Sequence, residues 1–439
     1  MIKTRYAPSP TGEIHIGALR TLLYNYAFAK HNNGNFILRI EDTDRKRYVD
    51  GAEKRILEDI KAFGINWDEG PFIQTERLDI YNKYIKQLLD KGHAYYCFCS
   101  PERLKSLNSK YDRHCLNLSK EEIEKKLKNN EPHVIRLKLP DNKLITFDDA
   151  IRGKITFNTK DLDDQVLIKS DGIPTYHFAV VVDDHLMGIS HVMRGDEWIS
   201  STPKQILLYQ YLGWEPPIFA HLTALLDPTH KGKMSKRSGS VFVRQFLEDG
   251  YLPEAILNYL MLLGWNPGDE REIFSLDEFI KEFSLERLHK SQPVFDPVKL
   301  KYFNGLYLRQ KSDEELSQLL PDYDSRFIPL IKSRIATLQE AHDLLEFTKK
   351  DIIPPPELIN KDHLVDIKNI LENTDFTFES LQEKFLSVIK EKNYKTGDFF
   401  MTLRVVICGK KITPPVVESM IILGKEACVK KINLIVDKI

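Results

Sequence analysis

The sequence predicts an α/β protein with a parallel sheet in its amino-terminal half and a helical carboxyl-terminal third. A strand-like run at 2–6 enters a loop stiffened by two prolines, and apolar residues at helical spacing follow from Gly17. A second strand is predicted at 35–40, with an acidic segment at its end, where open α/β sheets place ligand-binding residues. A return strand at 178–182 and a helix at 203–212 complete the pattern.

The loop before the first helix has the composition of a phosphate site. Residues 8–18 read Pro-Ser-Pro-Thr-Gly-Glu-Ile-His-Ile-Gly-Ala. Free backbone N–H groups and the positive end of a helix dipole face such a loop, and His15 stands where a ring N–H could donate to a phosphate oxygen. Taken alone, a His-x-Gly triplet more often makes a tight turn between a strand and a helix.

A basic segment past the middle of the chain changes that balance. Residues 230–240 hold four lysines or arginines, one histidine, two glycines and three serines, with Lys-Met-Ser-Lys-Arg at 233–237. A lysine-rich stretch by itself is more often a solvated turn. Beside the first motif, it can neutralise the charge that develops when pyrophosphate is displaced from ATP. Together the two motifs predict ATP chemistry at a carboxylate.

At these two motifs the chain resembles the class I aminoacyl-tRNA synthetases, and within that class the bacterial glutamyl-tRNA synthetases. Further segments share the resemblance, at 39–44, 170–177, 182–185 and 202–205. The resemblance implies a Rossmann-type parallel-sheet nucleotide domain split by an α+β insertion, followed by all-α anticodon-binding domains. It extends over nearly the whole chain.

The expected domain bounds follow from changes in composition and from this resemblance. We expect the catalytic domain in two halves, with an acceptor-binding insertion between them, then a helical connector and a helical anticodon-binding region. In that order the bounds are 1–94 and 166–240 for the two halves, 95–165 for the insertion, 241–309 for the connector and 310–439 for the anticodon-binding region.

Composition sets limits on function without identifying it. A chain of 439 residues should hold two to four domains, and its formal charge of −1 excludes a surface that is basic all over. Any tRNA surface must therefore be a local patch, and the candidates are 408–415 with Lys430 and Lys431. No charged-then-apolar leader and no apolar run of membrane-spanning length is evident, so we expect a soluble, cytoplasmic protein. We also expect a monomer.

A glutamate substrate carries two carboxylates and an ammonium group, and arginine is suited to a planar carboxylate. By resemblance, Arg5 meets the side-chain carboxylate together with Tyr176, and Arg194 approaches the substrate carboxylates. Ser9 and Glu41 hold the ammonium end. The residues that the resemblance assigns to glutamate are Arg5, Ala7, Ser9, Glu41, Tyr176 and Arg194. Val180 stands where some relatives have Asn, so one polar contact could be missing. Without the resemblance, Arg5 would be interpreted as part of a surface salt bridge.

The resemblance also assigns the ATP site. The assigned residues are Thr11, His15 and Gly17 beside the phosphates, Glu197 and Trp198 at the adenosine, Leu225 and Leu226 at the adenine, and Lys233 and Lys236 on the phosphates. His15, Lys233 and Lys236 are the expected catalytic residues, with Mg²⁺ as the metal that accompanies ATP. The implied reaction forms glutamyl-adenylate and then glutamyl-tRNA, and family members of this type generally need tRNA bound before the first step.

Three cysteines in the insertion have the spacing of a structural zinc site, namely Cys97, Cys99 and Cys115. Some relatives supply a histidine two residues after the third cysteine, but here that residue is Asn117. Tyr111 falls at a spacing that a truncated relative uses for a tyrosine ligand, and His114 is the second candidate. A metal-free knuckle with ordinary thiols is the alternative. The other two cysteines, Cys408 and Cys428, lie in apolar helical contexts typical of a core.

The implied function is that of a glutamate–tRNA ligase acting on tRNA(Glu), and the sequence leaves tRNA(Gln) open as a further substrate. A glutaminyl-tRNA synthetase is an alternative, but that branch ends in β-barrels, whereas 310–439 has helical periodicity. A small-molecule nucleotidylyltransferase could use the same phosphate motif without needing a long helical tail. The truncated relative that modifies a tRNA base lacks the carboxyl-terminal third, and a non-catalytic tRNA-binding protein would not need the phosphate-handling residues.

Overall fold

The computed structural model of the chain describes residues 1–107, 110–227, 232 and 242–437. The chain divides into two compact units. The first comprises Met1–Phe246 and Ile256–Asp296, and the second comprises Leu247–Ala255 and Pro297–Ile439. The five-part division expected from the sequence is finer than this one and stays a prediction.

The first unit contains the strands. They are β1 (Lys3–Tyr6), β2 (Asn35–Ile40), β3 (Glu69–Ile73), β4 (Ala94–Cys97), β5 (Val134–Leu137), β6 (Leu144–Asp149), β7 (Gly153–Asn158), β8 (Val166–Ile168), β9 (His191–Gly195) and β10 (Ile218–Leu222). The helices up to residue 282 are α1 (Ile16–His31), α2 (Ala52–Ala62), α3 (Leu78–Asp90), α4 (Pro101–Ser106), α5 (Lys120–Lys128), α6 (Tyr176–Leu186), α7 (Thr202–Leu212), α8 (Val243–Glu248), α9 (Pro253–Leu262) and α10 (Leu276–Glu282). Short 3-10 helices lie at Gln74–Arg77, His114–Asn117, Thr159–Asp161, Asp196–Ser201 and Leu285–Arg287.

A parallel sheet and a mixed sheet with a parallel centre form the middle of this unit. Strands β1, β2 and β3 pair in that order, all parallel, and β10 pairs in parallel with both β9 and β6. The two sheets are linked at Lys3 and Ser190, because the backbone N–H of Ser190 donates to the carbonyl of Lys3 at 2.9 Å. This arrangement confirms the predicted Rossmann-type parallel core. A separate antiparallel sheet has the order β4-β5-β8.

Strand β6 belongs to the part of the chain expected to form an insertion, yet it pairs with a catalytic strand. Asp149, its last residue, is the register partner of Phe219 in β10, while β7 pairs with β6 in antiparallel orientation. The end of β6 therefore lies beside the amino-terminal half of β10, and from there the Asp149 side chain reaches His221 of that strand.

The prediction of a strand at 178–182 is wrong. These residues lie inside helix α6, whose residues from Phe178 to Asp184 are all buried. A helix that is apolar on every side has no 3.6-residue alternation, and a run of three valines favours a strand by propensity. Burial between other elements overrides that local preference.

The second unit is helical, as the sequence predicts. Its helices are α11 (Pro297–Gln310), α12 (Asp313–Leu319), α13 (Ile328–Ile331), α14 (Leu338–Leu345), α15 (Lys361–Asn373), α16 (Phe378–Glu391), α17 (Thr396–Cys408), α18 (Val416–Leu423) and α19 (Lys425–Val436), with 3-10 turns at Ser325–Phe327, Glu346–Thr348 and Pro356–Leu358. Ser312 begins α12 with a reciprocal capping box to Glu315. Helix α17 ends at Gly409, where φ is 72° and a side chain would overlap Ile352.

The core of this unit is built from the apolar faces of these helices. Phe385 of α16 is fully buried and packs its ring against those of Phe399 and Phe400, with centroids 5.9 and 6.2 Å apart. Cys408 and Cys428 are buried in the same core, as expected. Within the described residues, no helix has both the length and the apolarity to cross a bilayer.

Phe385→Ala should lower the free energy of unfolding of the second unit by about 3–5 kcal/mol, because it leaves a cavity in a packed core. Leu386→Ala is the matched control, since Leu386 is the next residue of the same helix and is 46% exposed. Its effect should be within about 0.5 kcal/mol. Urea unfolding of the full chain, followed by circular dichroism, measures both. Equal losses for the two variants would contradict this packing.

Candidate active site

The turn between β1 and α1 holds a histidine in a defined tautomer. His15 is the N-cap of α1, with φ −76° and ψ 146°, and its Nδ1 accepts a hydrogen bond from the backbone N–H of Gly17 at 3.1 Å. Burial lowers the pKa of His15 below its ordinary value, so the neutral ring predominates at pH 7. Since Nδ1 is the acceptor, the ring proton is on Nε2. His15 can therefore donate through Nε2 to an anion at the helix start, as the sequence predicts.

Backbone hydrogen bonds hold this loop on both sides. The N–H of Glu41 donates to the carbonyl of Pro8 at 2.9 Å, and the N–H of Val243 donates to the carbonyl of Ile14 at 2.9 Å. Ser9 and Thr11, two of the expected site residues, have exposed side chains here, and Ala7 is half-buried just after β1. The loop therefore presents small and polar groups on a backbone that is fixed at both ends.

A cluster of buried charges lies behind the loop. The Asp184 carboxylate of α6 accepts from Arg5 Nε at 3.3 Å and from Arg39 Nη1 at 2.8 Å. Arg39 also donates through Nη2 to Glu41 Oε1 at 2.9 Å and lies 3.9 Å from Asp183. Burial alone would raise the pKa of Asp184, but the two guanidinium groups hold it below its usual range. Two of the expected glutamate residues, Arg5 and Glu41, thus belong to one network.

Glu41 is the carboxylate of this cluster whose ionised form is disfavoured by burial. Burial raises its pKa to about 6, against the opposing attraction of Arg39 and Arg5. Above that pH the group is ionised and able to pair with an ammonium ion. Arg39 occupies one oxygen of this carboxylate, so Glu41 can also pair with an ammonium group beside two arginines.

Arg194 occupies a second buried position, in β9. Its Nη2 donates to Gln205 Oε1 at 2.7 Å and Thr202 Oγ1 at 3.0 Å, and its Nη1 reaches the Tyr176 hydroxyl at 3.4 Å. Its Nε donates to His221 Nε2 at 3.2 Å. Tyr176 also lies within electrostatic reach of Arg5 and Glu41. The structure therefore brings Arg5, Glu41, Tyr176 and Arg194 together, as the sequence predicts.

The expected adenosine residues lie on two segments. The ring of Trp198, in the 3-10 helix after β9, is 4.3 Å from that of Tyr176, whereas Glu197 is exposed and its carboxylate folds back over Gly195. The other segment follows β10, where Leu226 pairs by backbone hydrogen bonds with residues 293 and 295.

Gly17 and Leu225 bring that second segment to the helix start. A methyl group in place of the Gly17 hydrogen would lie 3.8 Å from Leu225 and 3.4 Å from His15 Nδ1. Arg20 of α1 strengthens this contact, since it donates to the carbonyls of Thr223 and Leu263. An apolar wall thus stands beside the anion-binding turn, which is what an adenine nucleotide requires. Lys233 and Lys236 lie outside the described residues.

The three predicted zinc-binding cysteines meet in space. The sulfur atoms of Cys97, Cys99 and Cys115 all lie within 4.8 Å of one another. The Tyr111 hydroxyl is 3.2 Å from Cys97 Sγ and 3.7 Å from Cys99 Sγ, and Tyr111 is buried. His114, the second candidate for a fourth ligand, is exposed.

The basic residues expected to bind tRNA are partly paired within the chain. Lys431 donates to Asp351 at 3.0 Å, and Lys410 forms an ion pair with Glu346 at 2.5 Å. Lys430 is more exposed, and its amino group lies 3.8 Å from Asp351. Their part in binding tRNA stays a prediction.

Comparison with known proteins agrees with this geometry over the full length. Residues 1–302 match the family described as tRNA synthetases class I (E and Q), catalytic domain, and residues 286–436 match an anticodon binding domain. The chain belongs to the class I tRNA synthetases. It is 45% identical to the glutamate–tRNA ligase of Finegoldia magna, with 98% of each chain covered, and 43% identical to that of Clostridioides difficile, with 100% and 99% covered.

Solved structures of this family superpose on the chain as well. A crystal structure of a glutamate tRNA ligase from Elizabethkingia meningosepticum, in complex with its amino acid, matches with a TM-score of 0.83 and 36% identity over 99% of both chains. The match covers the carboxyl-terminal helices together with the synthetase catalytic domain. Residues 310–437 form helices and 3-10 turns, so the β-barrels of the glutaminyl-tRNA synthetase alternative are absent from this described part of the chain.

Several residues of the site have no role assigned from the sequence. Asp149 and His221 lie outside every matching segment, although they are hydrogen-bonded at 2.7 Å and 72 residues apart. Arg39 and Asp184 lie in the matching segments 39–44 and 182–185 but have no assigned role there. A pair of aspartates directly after an apolar run, as Asp183 and Asp184 follow three valines, is the one pattern that indicates a buried charge pair.

The pKa of Glu41 predicts a pH-dependent stability. A carboxyl whose pKa is higher in the folded chain stabilises the fold below its unfolded pKa, and that contribution is lost as pH rises through about 6. Between pH 5 and pH 7 the wild type should therefore lose roughly 1–2 kcal/mol relative to Glu41→Gln, which has no proton to release. Chemical unfolding of both proteins at the two pH values measures the difference.

Glu76→Gln serves as the control, because Glu76 is an exposed carboxylate. The stability of this variant should follow that of the wild type at both pH values. If Glu41→Gln and the wild type changed in parallel between pH 5 and pH 7, Glu41 would not be a strained carboxylate.

Proposed function

We propose that this chain is a glutamate–tRNA ligase that activates glutamate with ATP and transfers it to the 3′ end of tRNA(Glu). The observation that carries the proposal is the grouping of Arg5, Arg194, Tyr176 and Glu41, which offers two guanidinium groups and one carboxylate around a phenol. Glutamate carries the complementary charges, two carboxylates and one ammonium. The same arrangement disfavours glutamine, whose side-chain amide cannot form a charge-assisted pair with arginine.

In the first step the α-carboxylate oxygen of glutamate attacks the α-phosphorus of ATP. The bond from that phosphorus to the bridging oxygen breaks, and pyrophosphate leaves. His15 donates from Nε2 to a phosphate oxygen, with Gly17 allowing the nucleotide close to the helix start and Thr11 beside it. Mg²⁺, arriving with the nucleotide, supplies further neutralisation of phosphate charge. Lys233 and Lys236, in the basic segment 230–240 of the sequence, are proposed to do the same.

In the second step a ribose hydroxyl of the tRNA terminus attacks the carbonyl carbon of glutamyl-adenylate. The acyl–phosphate bond breaks, AMP leaves, and the hydroxyl proton passes to the released AMP phosphate or to water. No side chain forms a covalent intermediate. Catalysis rests on placing the two reactants and on stabilising phosphate charge, and both are tasks for fixed donors such as His15.

Replacing His15 tests the proposal directly. The wild type should charge purified tRNA(Glu) with labelled glutamate, and His15→Asn should lower kcat by roughly 100-fold or more, since one lost donor to transition-state charge costs about 3 kcal/mol. Asparagine is a good N-cap, so it keeps an acceptor for the Gly17 N–H while removing the Nε2 donor. Charging of tRNA(Gln) in the same assay decides whether that tRNA is a second substrate.

His289→Ala is the control, because His289 is an exposed histidine elsewhere in the first unit. It should retain wild-type charging. Glutamate-independent ATP turnover by the wild type, or a folded His15→Asn protein with full activity, would overturn the assignment.

We also propose that the four-residue cluster at Cys97, Cys99, Tyr111 and Cys115 binds one structural zinc ion. Tetrahedral Zn²⁺ with bonds near 2.3 Å to sulfur requires neighbouring ligand atoms roughly 3.5–4 Å apart. The separation of 3.5 Å between the sulfurs of Cys99 and Cys115 fits that requirement. The backbone N–H of Phe98 donates to Cys115 Sγ at 3.3 Å, as is common for metal-bound thiolates.

Elemental analysis of the purified protein should find about one zinc per chain. Tyr111→Phe removes the fourth ligand while keeping the ring, and should lower zinc affinity by roughly 10-fold or more. His114→Ala should leave zinc content unchanged. A protein that stays zinc-free after refolding with excess zinc would contradict this site.

A further inference from the structure

A carboxylate and an imidazole stand in line behind Arg194. Asp149, His221 and Arg194 are 3%, 0% and 5% exposed, and they come from the adjacent strands β6, β10 and β9. Asp149 Oδ2 is 2.7 Å from His221 Nδ1, and His221 Nε2 accepts from Arg194 Nε at 3.2 Å. The three groups form one hydrogen-bonded row, and nothing in the proposed reaction uses the first two.

The hydrogen bonds determine the tautomer of His221. Arginine nitrogens only donate, so His221 Nε2 must be the acceptor of the Arg194 bond. The Asp149 carboxylate accepts everything offered to it, from the backbone N–H groups of Ile151 at 3.0 Å, Arg152 at 2.9 Å and His221 at 3.1 Å. The remaining ring nitrogen, Nδ1, therefore carries the proton and donates to Asp149. Burial also lowers the pKa of His221, against the opposing bond to Asp149, which keeps the ring neutral.

Arg194 is held by neutral groups alone. Its partners are His221, Thr202, Gln205 and Tyr176. Among the residues that the structure describes, no carboxylate forms an ion pair with it. Arg5 differs, because Asp184 already takes part of its charge. A buried guanidinium without a counter-ion is costly, and binding a carboxylate relieves that cost.

One N–H donor of Arg194 is left without an acceptor when its hydrogen bonds are counted. A guanidinium offers five N–H donors. The Nε hydrogen and both Nη2 hydrogens have acceptors, and Nη1 has one acceptor, the Tyr176 hydroxyl at 3.4 Å. One Nη1 hydrogen is left for a ligand oxygen next to Tyr176.

We propose that Asp149 and His221 are positioning residues that orient Arg194 toward the substrate carboxylate while leaving its full positive charge to the substrate. The proposal rests on the assignment of glutamate as substrate. Asp149 keeps the proton of His221 on Nδ1, and His221 in turn offers Arg194 a neutral acceptor. A carboxylate in the place of His221 would hold the arginine equally well but would neutralise it before glutamate arrives.

Two substitutions at His221 separate positioning from packing. His221→Gln can put its amide oxygen near the original Nε2 and so keep an acceptor for Arg194, whereas His221→Leu fills a similar volume without one. The KM for glutamate should rise roughly 10-fold or more in His221→Leu and less than about 3-fold in His221→Gln. The KM for ATP should stay within about 2-fold of wild type in both variants.

Asp149→Asn tests the tautomer. The carboxylate accepts from four donors, the backbone N–H groups of Ile151, Arg152 and His221 and the Nδ1–H of His221. In an amide the nitrogen replaces one of the two acceptor oxygens, so at least two of these four donors lose their acceptor. The KM for glutamate should rise as in His221→Leu. Asp148→Asn makes the same chemical change at the neighbouring, exposed residue of β6 and should behave as wild type.

The tautomer of His221 can be measured in the wild type by NMR of the full chain with ¹⁵N-labelled histidine. A His221→Gln sample is needed only to assign the His221 signals. The shifts of His221 should show a protonated Nδ1 and an unprotonated Nε2 at pH 7. The reverse pattern would overturn the proposal. So would an unchanged glutamate KM in a folded His221→Leu protein, or equal rises in the KM for ATP and glutamate.

These outcomes are separate from a failure of the proposed function. If the function were wrong, the wild type would not charge tRNA with glutamate at all. If only the positioning role were wrong, wild-type charging would be normal and the variants at Asp149 and His221 would not change the KM for glutamate selectively.

Discussion

The Asp184 carboxylate, buried between the guanidinium groups of Arg5 and Arg39, is the interaction on which the rest of the site depends. It joins three elements at once, because Arg5 lies on β1, Arg39 on β2 and Asp184 on α6. Removing one member would leave an uncompensated charge in the core, which is far more costly than the pair itself is stabilising. Arg39 in turn holds Glu41 at the end of β2. The positions of Arg5 and Glu41, which we propose bind the substrate, are therefore determined by this cluster.

The two arginines expected to meet glutamate are prepared differently. Arg5 shares its charge with Asp184, whereas Arg194 is held by hydroxyl, amide, phenol and imidazole groups. Arg5 is therefore held by an ion pair and Arg194 by hydrogen bonds to neutral groups. Each buried cation without a counter-ion increases the affinity for a carboxylate, and it also destabilises the empty site. A site that binds two carboxylates and must release its product therefore benefits from having only one such cation.

The chemistry of the site was predictable to the extent that it lies on short contiguous motifs. His15 and Gly17 are two residues apart, and a helix start after a strand and a loop indicates an anion site when a second phosphate-handling motif accompanies it. The cysteine spacing likewise indicated three ligands, and Tyr111 is within reach of Cys97 and Cys99. The pattern at 178–182 predicts a strand where the structure has a helix, because a segment buried on all sides lacks the periodicity from which helices are recognised.

The sequence by itself determined the class of protein and the helical character of the second unit, and it predicted the turn beside the ATP phosphates and the residues that meet glutamate and ATP. Those features rest on neighbours along the chain or on motifs whose spacing is local. Only the tertiary structure decided which charges neutralise one another: that Asp184 serves Arg5 and Arg39, and that Asp149 reaches Arg194 through His221. Such pairings join residues tens to hundreds of positions apart, because parallel strands bring together ends that are distant in the chain, and no local pattern records which ends meet.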